Sequence, residues 1–230
     1  MMCGMTALRR FMAWSLLLAG CSLAPAPILI HDDANDSVWL MSDPEAGAGH
    51  SHPAVVSPEQ LAAVLQGVRI QKRDALGLGG LFQQTGSAPA FTAREIALLA
   101  RHLPQALRKA SPRDLATFYL ISTDPVLGRV VTSGGLFVRQ GRWYLILANA
   151  KTSPHAVQYE NTYAIDTRDR PLLPIVPLKF VVGFSPAGAW IPNRDMRGKD
   201  GYGGYLDDSK LLVIDPARLA ERARPAAPQP

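Results

Sequence analysis

Two short polar segments hold three of the five histidines of this 230-residue chain. His50 and His52 flank one serine, and the segment 31–36 combines a histidine with three aspartates. Imidazole and carboxylate groups together bind zinc or copper, provided that the fold fixes them in space. The residues around the pair, 44–53, are rich in glycine, alanine and proline, and such a linker does not fix ligands. We therefore predict no metal site and no cofactor, and interpret this stretch as solvated chain.

A serine with histidines elsewhere raises the question of nucleophilic catalysis. Ser133 precedes two glycines, and His102 and His155 are the histidines of the predicted domain. The chain has no Gly-x-Ser-x-Gly elbow, no His-Glu-x-x-His and no phosphate loop. Because a triad is defined by geometry, a hydrolase using Ser133, His155 or Asp207 stays open as an alternative. We expect Ser133 to be an ordinary strand residue and favour a protein that is not an enzyme.

The segment 190–208 has the most unusual composition in the chain. It combines acidic, basic and aromatic side chains with several glycines. Rigid aromatic rings on an adaptable backbone suit the recognition of sugars, peptides or a partner protein. The alternative is a long surface loop whose tyrosines pack back on a sheet. The candidate recognition residues are Trp190, Arg194, Arg197, Tyr202, Tyr205 and Asp207.

The first residues of the chain have a pattern of their own. Arg9 and Arg10 precede the apolar run 11–18, and two small residues then stand directly before Cys21. The run is too short to span a bilayer core of about 30 Å, which needs roughly 20 apolar residues. A basic start, a short apolar run and small residues before a cleavage point are typical of a secretory signal peptide.

The sequence Leu18-Ala19-Gly20-Cys21 resembles the lipobox of bacterial lipoproteins. The resemblance covers residues 1–22 and implies cleavage before Cys21, a diacylglyceryl thioether on its sulfur, and a further acyl chain such as palmitate on the new amino terminus. Two or three such chains anchor a protein firmly, since each buried CH₂ contributes about 0.8 kcal/mol. Ser22 replaces the aspartate that retains enterobacterial relatives at the inner membrane, which favours the outer membrane. The membrane is thus one implied partner.

Composition limits what the mature protein can be. Cys3 and Cys21 are the only two cysteines, so the folded part has no disulfide and no thiol nucleophile. The formal net charge is +5, and it falls to +3 without Arg9 and Arg10. A mild positive excess is compatible with binding to anionic lipid headgroups. Because the signal peptide predicts export from the cytoplasm, we do not expect nucleic acid as a partner. Arg94, Arg101 and Arg108 recur every seven residues, which indicates a solvated helix face or a face toward headgroups.

The chain divides into four parts. We predict a signal peptide at 1–20, a tether at 21–55 with a short edge strand at 37–41, one domain at 56–217, and a disordered Ala/Pro-rich tail at 218–230. Hydrophobic residues make up 47% of the chain, which is enough for one ordinary core.

The predicted domain is α+β with a mostly antiparallel sheet. A capping box at Thr92 opens an amphipathic helix over about 92–110, which we expect to pack on one face of the sheet. Pro104 should kink or divide that helix. The runs 129–139 and 142–149 flank a Gln-Gly turn and predict a hairpin. We also expect a helix at 57–66 and strands at 68–72, 115–122, 160–166, 178–184 and 210–215.

These observations predict a lipid-anchored protein of the bacterial envelope. Its preferred role is a non-catalytic interaction or assembly module, with an envelope protein or glycan as its partner. The alternatives are an envelope hydrolase acting on peptidoglycan, lipid or peptide, and a periplasmic lipoprotein that binds a small ligand.

Overall fold

A computed structural model describes residues 25–44, 46–47, 49–72, 86–154, 168–175, 180–186, 188, 190–191 and 208–222. Within these residues, ten strands form two antiparallel sheets and three α-helices accompany them, so the fold is α+β as the sequence predicts. The strands are β1 (Ile28–Asp32), β2 (Asp36–Ser42), β3 (Val68–Lys72), β4 (Ala88–Pro89), β5 (Asp114–Asp124), β6 (Gly128–Arg139), β7 (Arg142–Thr152), β8 (Phe180–Phe184), β9 (Trp190–Ile191) and β10 (Leu211–Ile214). The helices are α1 (Pro58–Gly67), α2 (Ala93–Lys109) and α3 (Pro216–Arg222), and a 3-10 turn spans Asp208–Lys210.

The larger sheet has seven strands in the order β1-β2-β5-β6-β7-β10-β9. Its centre is the meander of β5, β6 and β7, whose last two strands are joined by Gln140 and Gly141. These residues have φ angles of 51° and 75°, the positive values that a tight hairpin turn requires. The predicted hairpin is thus confirmed. The lower end of the sheet is defined by Asp114, where β5 begins, and the upper end by Asp124, where β5 finishes.

Helix α2 covers one face of the larger sheet, as expected. Its first turn is fixed by a capping box in which Thr92 Oγ1 accepts the N–H of Glu95 at 3.3 Å and Glu95 Oε2 accepts the N–H of Thr92 at 2.7 Å. Its apolar stripe is buried against strands β2 and β5 and against α1. The largest buried side chains of this core include Leu61, Leu65, Leu99, Leu103, Leu107, Phe118, Leu120 and Leu40.

Irregular chain covers the opposite face of the larger sheet. Phe137 and Tyr144 stack there with ring centroids 4.7 Å apart, in a second buried cluster. Leu172 and Ile175, from the described segment 168–175, pack against this face. The face is therefore part of the interior even though neither α1 nor α2 covers it.

A small sheet in the order β4-β3-β8 completes the fold. β3 pairs with β8 from Val68↔Phe184 to Lys72↔Phe180, and the side chains of Ile70 and Val182 join the core beside α1. The strand predicted at 68–72 is thereby confirmed, and the one predicted at 178–184 is confirmed over its described residues, 180–184.

The predicted tether at 21–55 is wrong for residues 28–54. β1 pairs with β2, and β2 pairs on its other side with β5 over seven residue pairs, so the expected strand at 37–41 exists but lies inside the sheet. Val38 and Leu40 contribute buried side chains to the main core, which is why this stretch folds with the domain.

Two further expectations fail. Pro104 does not divide α2, which runs from Ala93 to Lys109 with Leu103 and Leu107 buried in one core; the kink stays a prediction. Residues 218–222 of the tail predicted as disordered instead belong to α3, and Leu219 packs against the core; residues 223–230 lie outside the described residues. The expected strand at 160–166 lies outside the described residues.

Candidate functional site

The histidine pair predicted to lie in solvated chain is buried in the domain. His50 Nε2 lies 2.7 Å from Oδ2 of Asp43, and both side chains are buried. The His50 ring also stacks on Phe137, with centroids 4.1 Å apart. Because the carboxylate of Asp43 accepts a hydrogen bond from the Nε2–H of His50, the contact fixes the orientation of this imidazole. The prediction of a solvated segment is therefore wrong here.

His52 completes this buried cluster through a contact with the backbone. Its Nε2 accepts the N–H of Val138 at 3.4 Å, and its ring meets that of His50 edge-on, with centroids 5.6 Å apart. Burial, followed by the positive charge that His50 would carry, lowers the pKa of His52 to about 4. The neutral ring is the form that fits, since only a neutral imidazole can accept a hydrogen bond at Nε2.

The segment around these histidines extends the sheet at its lower end. The N–H of Ser51 donates to the carbonyl of Val138 at 2.7 Å, and the N–H of Gln140 donates to Ser51 Oγ at 3.0 Å. Residues 50–52 thus bind the end of β6 beyond the point where β5 begins. The acidic segment 31–36 lies toward the upper end, so the two polar segments are separated. Among the described residues, no group of three or more metal-ligating side chains is placed to hold an ion.

The pKa of His52 predicts a loss of stability in mild acid. The unfolded chain takes up a proton near pH 6.5, whereas the native side chain resists it until about pH 4. The free energy of unfolding should therefore fall as pH drops from 6.5 to 4, by no more than about 3 kcal/mol at 1.36 kcal/mol per pKa unit. His52→Gln, which keeps an acceptor but does not titrate, should flatten this part of the profile. Urea unfolding at several pH values gives the free energy of unfolding of both proteins. If it fell equally with pH in the wild type and in His52→Gln, the lowered pKa of His52 would be contradicted.

Ser133 holds the covering segment of the second face in place. Its Oγ donates to the carbonyl of Pro171 at 2.6 Å and accepts from Nδ2 of Asn149 at 2.8 Å. Asn149 also donates to the carbonyl of Leu173 and accepts from the N–H of Ile175. The hydroxyl group of Ser133 thus donates its hydrogen bond to a backbone carbonyl, as in a structural contact. His155 and Asp207, which the hydrolase alternative also needs, lie outside the described residues.

A polar cluster at the upper end joins β1 and β2 to α2. The rings of His31 and His102 stack with centroids 4.2 Å apart, and burial is the first cause that lowers the pKa of His102. Arg94 contacts the fully buried Asp36, so this member of the arginine stripe is an ion-pair partner. Arg101 and Arg108 are exposed, which is compatible with a solvated helix face and with a face toward headgroups.

One of the six candidate recognition residues in segment 190–208 is described. Trp190 opens β9, pairs with Ile214 of β10, and packs half-buried against the main core. Arg194, Arg197, Tyr202, Tyr205 and Asp207 lie outside the described residues. The loop therefore starts at the edge of the larger sheet that is opposite to β1.

The first strand of the sheet, β1, begins only a few residues after Cys21 in the sequence. Six residues, 22–27, separate that cysteine from Ile28, the first residue of β1. Ile28 and Leu29 are exposed large apolar side chains on this edge strand. Among the described helices, none has the length and apolar character needed to cross a bilayer. The sequence places the cysteine, and the structure adds the position at which its chain enters the fold.

Comparisons with protein-family models, with curated proteins and with solved structures find no match to this chain. The assignment to the α+β class therefore comes from the strands and helices of the structure alone.

Proposed function

We propose that this protein is a lipid-anchored component of the bacterial envelope, which holds a non-catalytic interaction domain next to the membrane. The observation that carries the proposal is the lipobox-like sequence ending at Cys21, only seven positions before the first strand of the domain. Seven extended residues reach at most about 25 Å. An acyl group on Cys21 therefore keeps the domain near the bilayer, and Ser22 favours the outer membrane.

The layout of the larger sheet supports an interaction role. β1, which follows the anchor, forms one edge, and β9, which leads into segment 190–208, forms the other. Six strand spacings of about 4.8 Å separate them by roughly 29 Å. The anchor and the candidate recognition loop thus leave the domain at different edges, so a partner could contact the loop while Cys21 is held in lipid. The partner class we favour is an envelope protein or glycan.

The contacts of the polar clusters also favour a binding protein over the hydrolase. Ser133 is hydrogen-bonded to Pro171 and Asn149, and His50 is buried against Asp43 and Phe137. Each of these groups has a structural task in the described part of the chain. This is the support for preferring recognition to nucleophilic catalysis.

Covalent capture in intact cells tests the recognition role. One variant carries Arg194→Ser, Arg197→Ser, Tyr202→Ser and Tyr205→Ser, and a control carries Val126→Ser and Leu127→Ser in the exposed turn between β5 and β6. We expect chemical cross-linking to give specific adducts of the wild type and the control, and the loop variant to lose at least about ten-fold in adduct yield, because contact residues of this kind dominate binding. Matched melting temperatures would exclude unfolding. An adduct pattern unchanged by the loop variant would contradict the proposal.

A further inference from the structure

Exposed apolar side chains lie at the lower end of the larger sheet, at the start of β1 and beside the last turn of α2. Ile28 and Leu29 are 52% and 47% exposed, and Val55 is 88% exposed. The N–H of Ala54 donates to the carbonyl of Leu107 at 3.0 Å, which places Val55 beside the last turn of α2. Single exposed apolar residues are common on protein surfaces, so their position matters here more than their number.

Basic side chains occupy the same corner. Arg108 and Lys109 end α2, Arg113 precedes β5, and all three are exposed. Asp114 is half-buried and its carboxylate accepts a backbone N–H at 2.6 Å, while Glu59 is exposed in the first turn of α1. Among the described residues, this corner therefore keeps a positive excess. The lower-end patch consists of Ile28, Leu29, Val55, Arg108, Lys109 and Arg113.

The upper end of the sheet has a different balance of charge. Arg168 lies 2.9 Å from Asp32, and Arg94 contacts Asp36. The turn after Asp124 exposes Val126, which is 89% accessible. Within the described residues, this turn thus exposes Val126 and Leu127 beside the carboxylate of Asp124 and the single exposed cation of Arg129, where the lower end has three exposed cations.

The chain enters the fold at the lower end, because Ile28 pairs with Leu40 near the lower end of β2. An acylated Cys21 lies within about 25 Å of Ile28, whereas the eleven residues of β5 separate the two ends by roughly 35 Å. The end with three exposed apolar side chains and three exposed cations is therefore the end tied to the anchor. Apolar side chains flanked by cations are what anionic lipid headgroups bind.

We propose that the lower-end patch rests on an anionic lipid surface and thereby fixes the orientation of the domain. Ile28, Leu29 and Val55 lie at headgroup level, and the three cations contact lipid phosphates. The upper end then points away from the bilayer. This inference rests on the proposed anchor at Cys21, but it makes a separate claim about which surface of the domain faces the lipid.

A matched pair of labels tests the orientation. Cys21 is acylated in the proposed mature protein and Cys3 leaves with the leader, so an introduced cysteine is its sole free thiol. Val55→Cys and Val126→Cys have nearly equal exposure, 88% and 89%, at opposite ends. Each acylated variant is labelled with an environment-sensitive fluorophore and reconstituted into vesicles of phosphatidylglycerol and phosphatidylcholine. We expect quenching by spin-labelled lipid to be at least about three-fold stronger at position 55.

Charge variants test the role of the cations. Arg108→Gln, Lys109→Gln and Arg113→Gln together should reduce the difference in quenching between positions 55 and 126 on these vesicles. The labelled proteins that keep all three cations should show the same reduction on vesicles of phosphatidylcholine alone. Circular dichroism melts identify any loss of folding, in which case the single variant Lys109→Gln is used. Equal quenching at both positions, stronger quenching at 126, or indifference to vesicle charge would overturn the proposed orientation.

The two proposals fail in distinguishable ways. If Cys21 is unmodified, the protein will not float with vesicles of phosphatidylcholine alone, and the anchor proposal fails. Purified unacylated protein that carries Cys3→Ser and Cys21→Ser, so that the introduced cysteine is again the sole thiol, still tests the lower-end patch on vesicles rich in phosphatidylglycerol, through the same two labels. If the protein floats but the labels do not differ, the anchor stands and the orientation fails.

Discussion

Replacing Gly134 by alanine is expected to destabilise the protein by more than about 4 kcal/mol, a large part of the 5–15 kcal/mol of a typical domain. A Cβ at this position of β6 would stand 1.9 Å from the carbonyl oxygen of Ile146 in β7, and 3.1 Å from the ring of Phe118. The clash is with backbone of a paired strand, so no change of side-chain rotamer relieves it. The two strands would have to separate at the centre of the larger sheet.

Gly183→Ala is the matched control for this prediction. Gly183 lies in β8, and a Cβ there would meet nothing within 4 Å. Its effect on the free energy of unfolding should stay within about 1 kcal/mol. Urea unfolding followed by tryptophan fluorescence gives both values. A Gly134→Ala protein as stable as the control would show that β6 and β7 do not pack this closely.

Replacing Cys21 by serine is expected to abolish fatty-acid incorporation. Serine lacks the sulfur on which the diacylglyceryl thioether forms, so both the modification and the cleavage that depends on it are lost. Loss of two or three acyl chains removes most of the membrane affinity, since a single chain gives only marginal binding. Cells grown with an alkyne-bearing fatty acid report the modification directly, after coupling of the alkyne to a fluorophore.

Cys3→Ser is the control for that experiment, because Cys3 lies in the proposed leader. It should keep full labelling and the same fractionation with membranes as the wild type. Labelling that survives in Cys21→Ser, or that is lost in Cys3→Ser, would contradict the assignment of the anchor.

Local signals in the sequence predict the parts of the fold that local physics determines. The capping box of Thr92 and Glu95 and the apolar stripe behind it locate α2 within a residue or two. The Gln140-Gly141 turn supplies the positive φ angles that join β6 to β7. In both places, short-range geometry and the hydrophobic pattern agree.

The prediction of a tether is wrong over residues 28–54 because polar residues of this stretch are buried by partners distant in sequence. Asp36 is covered by Arg94, 58 residues away, and His52 is bonded to Val138, 86 residues away. A composition rich in Gly, Ala, Pro and His is typical of solvated linkers, and contacts with residues this distant in sequence have no strong local sequence signal. Ala54 and Val56, alternating and buried, were the weak signal that this stretch joins a core.

The candidate sites divide in the same way. The buried pair of Asp43 and His50 was missed, since it needs the stacking surface of Phe137 to exclude water. Ser133 was correctly placed in a strand, but its bonds to Asn149 and Pro171 depend on how the covering segment folds. The recognition role of segment 190–208 and the lipid anchor stay predictions, because they rest on sequence pattern.

Mass spectrometry of the N-terminal peptide from the membrane-associated protein tests the central claim most directly. The account predicts a chain that begins at Cys21, with a diacylglyceryl thioether on its sulfur and an acyl chain on its amino group. A peptide that begins elsewhere, or one in which Cys21 has a free thiol, would contradict it.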